Sequence, residues 1–215
     1  MSRIRMSWAT AAVLLACVLS FLFVDRAVAF ALKGHVGGGV ETFFEQATRL
    51  GKAELYLVPA GVLFVVLLAL ARLKRSDRLL RMAAAPGFVF AAIAGSGIVV
   101  NVVKTVLGRY RPRYLFDEGL YGFAGFSQQW AMNSFPSGHT QAAFAAMTAL
   151  ALLFPRLQAA FFALAVVVGA SRVVLTVHYL SDVLAGAWLG MATAIALHRW
   201  LSGRGLLPLS AGEDS

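Results

Sequence analysis

Two histidines, three strong cations and an aspartate sit in three short patterned stretches of this chain. "KTVLGRYRP" carries Lys104, then six residues, then Arg111 and Pro112; "PSGH" is Pro136 to His139; "SRVVLTVHYLSD" carries Ser171, Arg172, His178 and Asp182. His178 and Asp182 are four apart, on one face of a helical turn if a helix starts there. A carboxylate holding one imidazole nitrogen leaves the other free and more basic. Pro136 and Ser137 suit a helix start, with serine able to cap it, and Gly138 lets a ligand approach the backbone closely. A helix N-terminus attracts anions, and His139 would face whatever anion sits there. Lys104, Arg111 and Arg172 add charge-assisted donors. No cluster of aspartate and glutamate offers to hold Mg²⁺ or Ca²⁺. The chemistry suggested is a metal-free phosphate cradle flanked by two histidines. His178 would attack phosphorus as a neutral nucleophile. His139 would protonate the departing oxygen and then activate water, while the cations hold the charge on the phosphoryl oxygens.

The elements that position these residues follow from composition. The 215 residues are 60% hydrophobic and 13% charged, with a mean hydropathy of +0.76. A soluble domain carries about 25% charged residues, so the chain is expected in a bilayer. Uncharged runs at 7–24, 55–71, 82–103, 140–155, 157–171 and 183–197 each approach a spanning length once flanking residues are added. Strict apolar/polar alternation is absent, which argues against an outer-membrane barrel. The expected fold is all-α, one integral-membrane domain over residues 1–215 with six transmembrane helices. The net charge is +9, but the basic residues flank spans rather than gather on a soluble face, which argues against nucleic-acid binding. A single cysteine, Cys17, excludes an intrachain disulfide.

The first run has a basic start and an A-x-A ending at Ala29, like a secretory signal. Its length, and its interruption by Asp25 and Arg26, favour a retained helix. Arg3, Arg5, the basic stretch 72–81, Arg199 and Arg204 share one side if six helices span, and positive-inside bias makes that side the cytoplasm. Residues 31–53, 104–139 and 172–182, with the three motifs, then lie on the opposite face.

Lys104-x6-Arg111-Pro112, Pro136-Ser137-Gly138-His139 and Ser171-Arg172-x5-His178-x3-Asp182 together resemble the three-part signature of the type 2 phosphatidic acid phosphatases. The resemblance implies a metal- and cofactor-independent lipid phosphatase with a phosphohistidine intermediate at the outer membrane interface. His178 is the implied nucleophile, Asp182 its partner and His139 the acid/base; Lys104, Arg111, Ser137, Gly138 and Arg172 are the implied phosphate holders. Phosphatidate, phosphatidylglycerol phosphate, polyprenyl diphosphates and lipid A phosphates are all substrates within that family. Vanadate-dependent haloperoxidases share the signature, but six apolar spans argue against that reading. A phosphotransferase using the same phosphohistidine and a non-catalytic lipid-phosphate binder are the alternatives.

Arg109 and Arg113 lie outside the signature on the same face, where they would accommodate a second phosphate. The aromatics of 113–135 (Tyr114, Phe116, Tyr121, Phe123, Phe126 and Trp130) suit an interfacial belt. The size and basic loop suggest a bacterial inner-membrane protein with its site facing the periplasm. The glycines and alanines of the third and sixth spans suit close helix packing, within one chain or between two. The ending "PLSAGEDS" reads as a short disordered tail.

Overall fold

The computed structural model describes residues 3–126 and 132–207, so Trp130 and the "PLSAGEDS" tail lie outside the described residues. It is a helix bundle: α1 (Arg3–Leu19), a π-helical turn (Ser20–Val24), α2 (Asp25–Leu32), α3 (Gly38–Arg49), α4 (Glu54–Leu73), α5 (Asp77–Leu107), α6 (Pro112–Glu118), α7 (Gly138–Leu153), α8 (Gln158–Val174) and α9 (Leu180–Ser202). Among the described residues, five helical segments are long and apolar enough to cross a bilayer: Ile4–Leu32, Gly38–Leu73, Asp77–Leu107, Pro155–Val174 and Leu180–Ser202. The sixth expected span is α7, whose 16 residues rise only about 24 Å.

What α7 lacks in length it makes up in burial. It is the axis of the bundle, contacted by α5, α8 and α9, and its run from Thr140 to Ala149 is buried on every side. A helix apolar all round belongs in such a centre. By contrast α4, equally apolar, buries only Ala71 and presents Val58, Val62, Leu63 and Val65 outward, as a lipid-facing helix does. Small residues bring α9 onto α7. A methyl group at Gly186 would collide with the Ser137 carbonyl, and one at Gly190 would lie 2.5 Å from the Gln141 carbonyl. The glycines of the last span therefore pack helices within the chain. One polar tie crosses the core: Gln141 Nε2 donates to the Ile93 carbonyl at 3.2 Å and to Ser96 Oγ at 2.6 Å.

Boundaries follow local chemistry. Ser76 caps α5, accepting from the Leu79 N–H at 3.4 Å, and Gly108 ends it in the left-handed region at φ 55°. The first helix runs on to Leu32 through Asp25 and Arg26, where the sequence suggested an interruption. Two helices were not anticipated, α3 and α6, both in stretches read as connecting loops.

Candidate active site

All three motifs meet at one end of the bundle. Ser137 caps α7 as expected: its Oγ accepts from the Thr140 N–H at 3.5 Å and from Thr140 Oγ1 at 2.9 Å. The Ser137 N–H donates to the Asp182 carbonyl at 2.9 Å, joining the second motif to the third by backbone. Lys104, in the last turn of α5, reaches the Asn133 carbonyl with Nζ at 2.6 Å. Arg111 donates to the same carbonyl at 3.4 Å and to the Val177 carbonyl at 3.3 Å. A loop carbonyl thus collects two cations beside the residue that precedes His178.

His178 is not on a helix, in contrast to the simplest reading of its spacing to Asp182. Helix α9 begins at Leu180, and His178 stands in a sharp turn before it. In that turn Thr176 takes φ 50°, costly for a β-branched residue, and the Val177 and His178 N–H groups both donate to the Arg172 carbonyl. Asp182 occupies the third position of α9 and caps its start, accepting from the Tyr179 N–H at 2.9 Å. From there the same oxygen, Oδ2, reaches His178 Nδ1 at 3.4 Å and takes a hydrogen bond from Ser134 Oγ at 2.6 Å. Ser134 Oγ also lies 3.3 Å from Nδ1. With Nδ1 turned to this pair, Nε2 is left for chemistry. Burial, which outweighs the bond and charge of Asp182, pushes the His178 pKa down to about 3. Burial thus favours the neutral form of the imidazole at physiological pH.

Arg172, in the last turn of α8, donates from Nη1 to Thr48 Oγ1 at 2.5 Å, while its buried Nε has no hydrogen-bond partner among the described residues. Among the described residues, neither Lys104 nor Arg172 has a carboxylate partner within 4.0 Å. His139 lines a cavity of about 450 Å³ together with Gly138, Lys52, Glu54, Gly97 and Asn101. Gly51 presses on His139: a methyl group there would lie 2.9 Å from its Cβ and 2.8 Å from Val168 Cγ1. Among the described residues, no group of three His, Cys, Asp or Glu side chains is placed to hold a metal ion.

Arg109 corrects the sequence reading. It is wholly buried and faces away from the cradle, with Nη1 on Asp182 Oδ1 at 2.5 Å and Nη2 on Asp25 Oδ2 at 2.7 Å. Burial lowers its pKa and the two carboxylates more than reverse this, so it is held above the ordinary arginine range. It therefore serves no second phosphate. Arg113 is exposed and paired with Asp117 one turn on. Nor do all the loop aromatics form a belt, since Tyr121 and Phe123 close over Arg109, although Phe126 is exposed. Ser134, Asn133, Thr48 and Asp25 were not found from sequence; only the proximity of Asn133 and Ser134 to "PSGH" could have signalled them.

Comparison with known proteins places this geometry. The family model of the PAP2 superfamily matches residues 85–206. The chain belongs to the PAP2 superfamily. Over 116 residues it is 43% identical to the lipid A 1-phosphatase of Rhizobium johnstonii, covering 52% of this chain and 48% of that protein. The corresponding enzyme of Rhizobium etli is 41% identical over 116 residues, 52% of this chain and 50% of its own length. The chain thus aligns with about half the length of these curated relatives. Its fold resembles that of a transmembrane PAP2-type phosphatidylglycerolphosphate phosphatase from Bacillus subtilis, with TM-score 0.62, 19% identity, and 92% and 96% of the two chains covered. LpxE of Aquifex aeolicus aligns with TM-score 0.55 and 23% identity over 82% of this chain and 95% of that one. This PAP2 chain is an integral membrane protein with the superfamily's helical fold.

Proposed function

We propose that this PAP2 protein is a metal-independent phosphatase of a membrane lipid, working through a phosphohistidine on His178. The observation that carries the reading is the imbalance of charge around that residue. Lys104, Arg111 and Arg172 converge beside a neutral, buried imidazole, and among the described residues neither Lys104 nor Arg172 has a carboxylate within 4.0 Å to answer it. Such a cluster wants an anion, and the orphaned Nε of Arg172 is one donor waiting for it. In the first step His178 Nε2 bonds to phosphorus as the ester P–O bond breaks, and His139, holding a proton while the anionic phosphate is bound beside it, gives that proton to the departing lipid oxygen. Asp182 and Ser134 hold Nδ1 and meet the positive charge that forms on the ring. In the second, neutral His139 takes a proton from water, the resulting hydroxyl bonds to phosphorus, the N–P bond breaks, and inorganic phosphate leaves. Lys104, Arg111, Ser137, Gly138 and Arg172 hold the phosphoryl oxygens throughout.

The relatives named as lipid A 1-phosphatases favour a glycolipid phosphomonoester as the substrate, and residues 1–215 are read as one membrane domain. The site is assigned to the periplasmic face of a bacterial inner membrane, since the basic stretch 72–81 lies at the opposite end of α4 and α5 from the motifs. The test is phosphate release by purified protein in detergent with EDTA, across phosphatidate, phosphatidylglycerol phosphate, a polyprenyl diphosphate and a lipid A phosphate. Release is expected with the lipid A phosphate fastest, and none from His178→Ala. Phosphate passed to a lipid alcohol instead of water would make the protein a phosphotransferase.

A further inference from the structure

Behind Asp182, on the side away from the substrate, lies a second charged cluster that the mechanism above does not use. Asp25, at the start of α2, is buried and accepts from Arg109 Nη2, from the Ser181 N–H at 3.0 Å, from Ser181 Oγ at 2.5 Å and from Ser20 Oγ at 2.7 Å. Arg109 spans from Asp25 to Asp182 and also donates to Ser181 Oγ at 2.6 Å. Its guanidinium lies within 6 Å of the rings of Tyr179, Phe21, Phe123, Tyr121 and Phe135, which exclude water. Asp182 is already held by Arg109 on Oδ1 and by the Tyr179 N–H and Ser134 Oγ on Oδ2, so a second carboxylate calls for its own explanation.

We propose that Asp25 is a positioning and charge-balancing residue for the reaction, acting through Arg109 on the Asp182–His178 pair. The inference rests on the phosphohistidine reading. In the resting site His178 is neutral, Asp25 and Asp182 each carry one negative charge and Arg109 one positive, leaving one negative charge in a dry volume. When His178 Nε2 bonds to phosphorus and the lipid P–O bond breaks, the ring gains one positive charge and the buried set becomes neutral. Without Asp25 the same step would turn a neutral buried set positive, which a low-dielectric interior resists. Tyr121 and Tyr179 also face this cluster, and burial pushes both phenols above their ordinary pKa, so neither contributes charge. Cys17 Sγ meets the Ser181 carbonyl at 3.6 Å. Lys104 and Arg111 face the substrate phosphate, which balances them. Asp25 thereby makes the first helix part of the active site.

The experiment uses full-length protein in detergent and the radiolabelled lipid phosphate that the preceding assay selects, with alkaline quench to trap phosphohistidine. Asp25→Asn keeps the shape and removes the charge. Its kcat should fall about 10- to 100-fold, the usual cost of losing an outer partner of a working histidine, with KM within about twofold of wild type. Phosphohistidine formation in a single turnover should slow by the same factor. Adding Arg109→Met restores the resting charge, and the double variant should run faster than Asp25→Asn alone. An Asp25→Asn enzyme with wild-type kcat, or a double variant no faster than the single, would overturn the proposal and leave the cluster a scaffold. If the asparagine variant does not fold, Asp25→Glu decides: charge retained should keep kcat within about threefold, and a loss of about a hundredfold would assign the role to shape instead. A wild-type protein that releases no phosphate sinks the phosphatase reading before any variant is compared.

Discussion

Arg109 and Arg111 are two residues apart, both buried, and put to opposite uses. Arg109 is answered by two carboxylates and walled in by rings. Arg111 donates to the Val177 and Asn133 carbonyls, and burial lowers its pKa. A cation matched by carboxylates has no attraction left for a ligand and becomes framework. A cation that donates to the carbonyls around the cradle is, on the proposed reading, one that serves the phosphate. The same contrast divides the two sides of Asp182, whose Oδ1 faces Arg109 and whose Oδ2 faces His178.

Breaking the reactive side outright gives the largest effect. His178→Ala should lower phosphate release by about 10⁴-fold or more with the helix content unchanged. Next comes the framework: Arg109→Met strands two buried carboxylates and should cost about 3–5 kcal/mol in thermal unfolding, whereas Arg111→Met should leave stability nearly intact and cripple turnover. Similar unfolding losses in both variants would erase the distinction drawn here. Inorganic phosphate at a hundred times its Kd should stabilise the wild type by about 2.7 kcal/mol, a gain that Arg172→Ala should diminish. Acid sharpens the comparison further. The depressed pKa of His178 means that the unfolded chain takes up a proton below pH 6.5 while the folded one declines it until about pH 3. Its contribution to stability is therefore full above pH 6.5 and lost as pH falls, by about 2 kcal/mol at pH 5, and a His178→Asn protein should show that much less acid sensitivity. Arg113→Ala, removing a solvent-exposed pair, should change stability by under about 0.5 kcal/mol.

The spans and the three motifs were legible because each rests on local pattern: apolar runs, a proline–serine start to a helix, cations at set intervals. What escaped depends on residues distant in sequence. Asp25 reads only as an interruption of the first apolar run until Arg109, 84 positions on, is found against it. Arg109 looks like a ligand residue until its carboxylates are placed. Ser134 meets Asp182 across 48 positions, a distance over which no spacing rule operates. The helix starts just after His178 and not at it, for a local reason: the left-handed turn at Thr176, which a β-branched residue does not announce. Helix α3 escaped because it is short and amphipathic, below any spanning length, yet it supplies the Thr48 hydroxyl that holds Arg172.

The Asp25–Arg109–Asp182 chain of charge also ties together stretches that lie far apart along the sequence. Arg109 follows Asp25 by 84 residues, and Asp182 follows Arg109 by a further 73. The two aspartates share one guanidinium, so the first helix and the last are joined through a residue that belongs to neither. A buried charge parted from its partner is costly, and a change in the first helix is therefore felt at the start of the last.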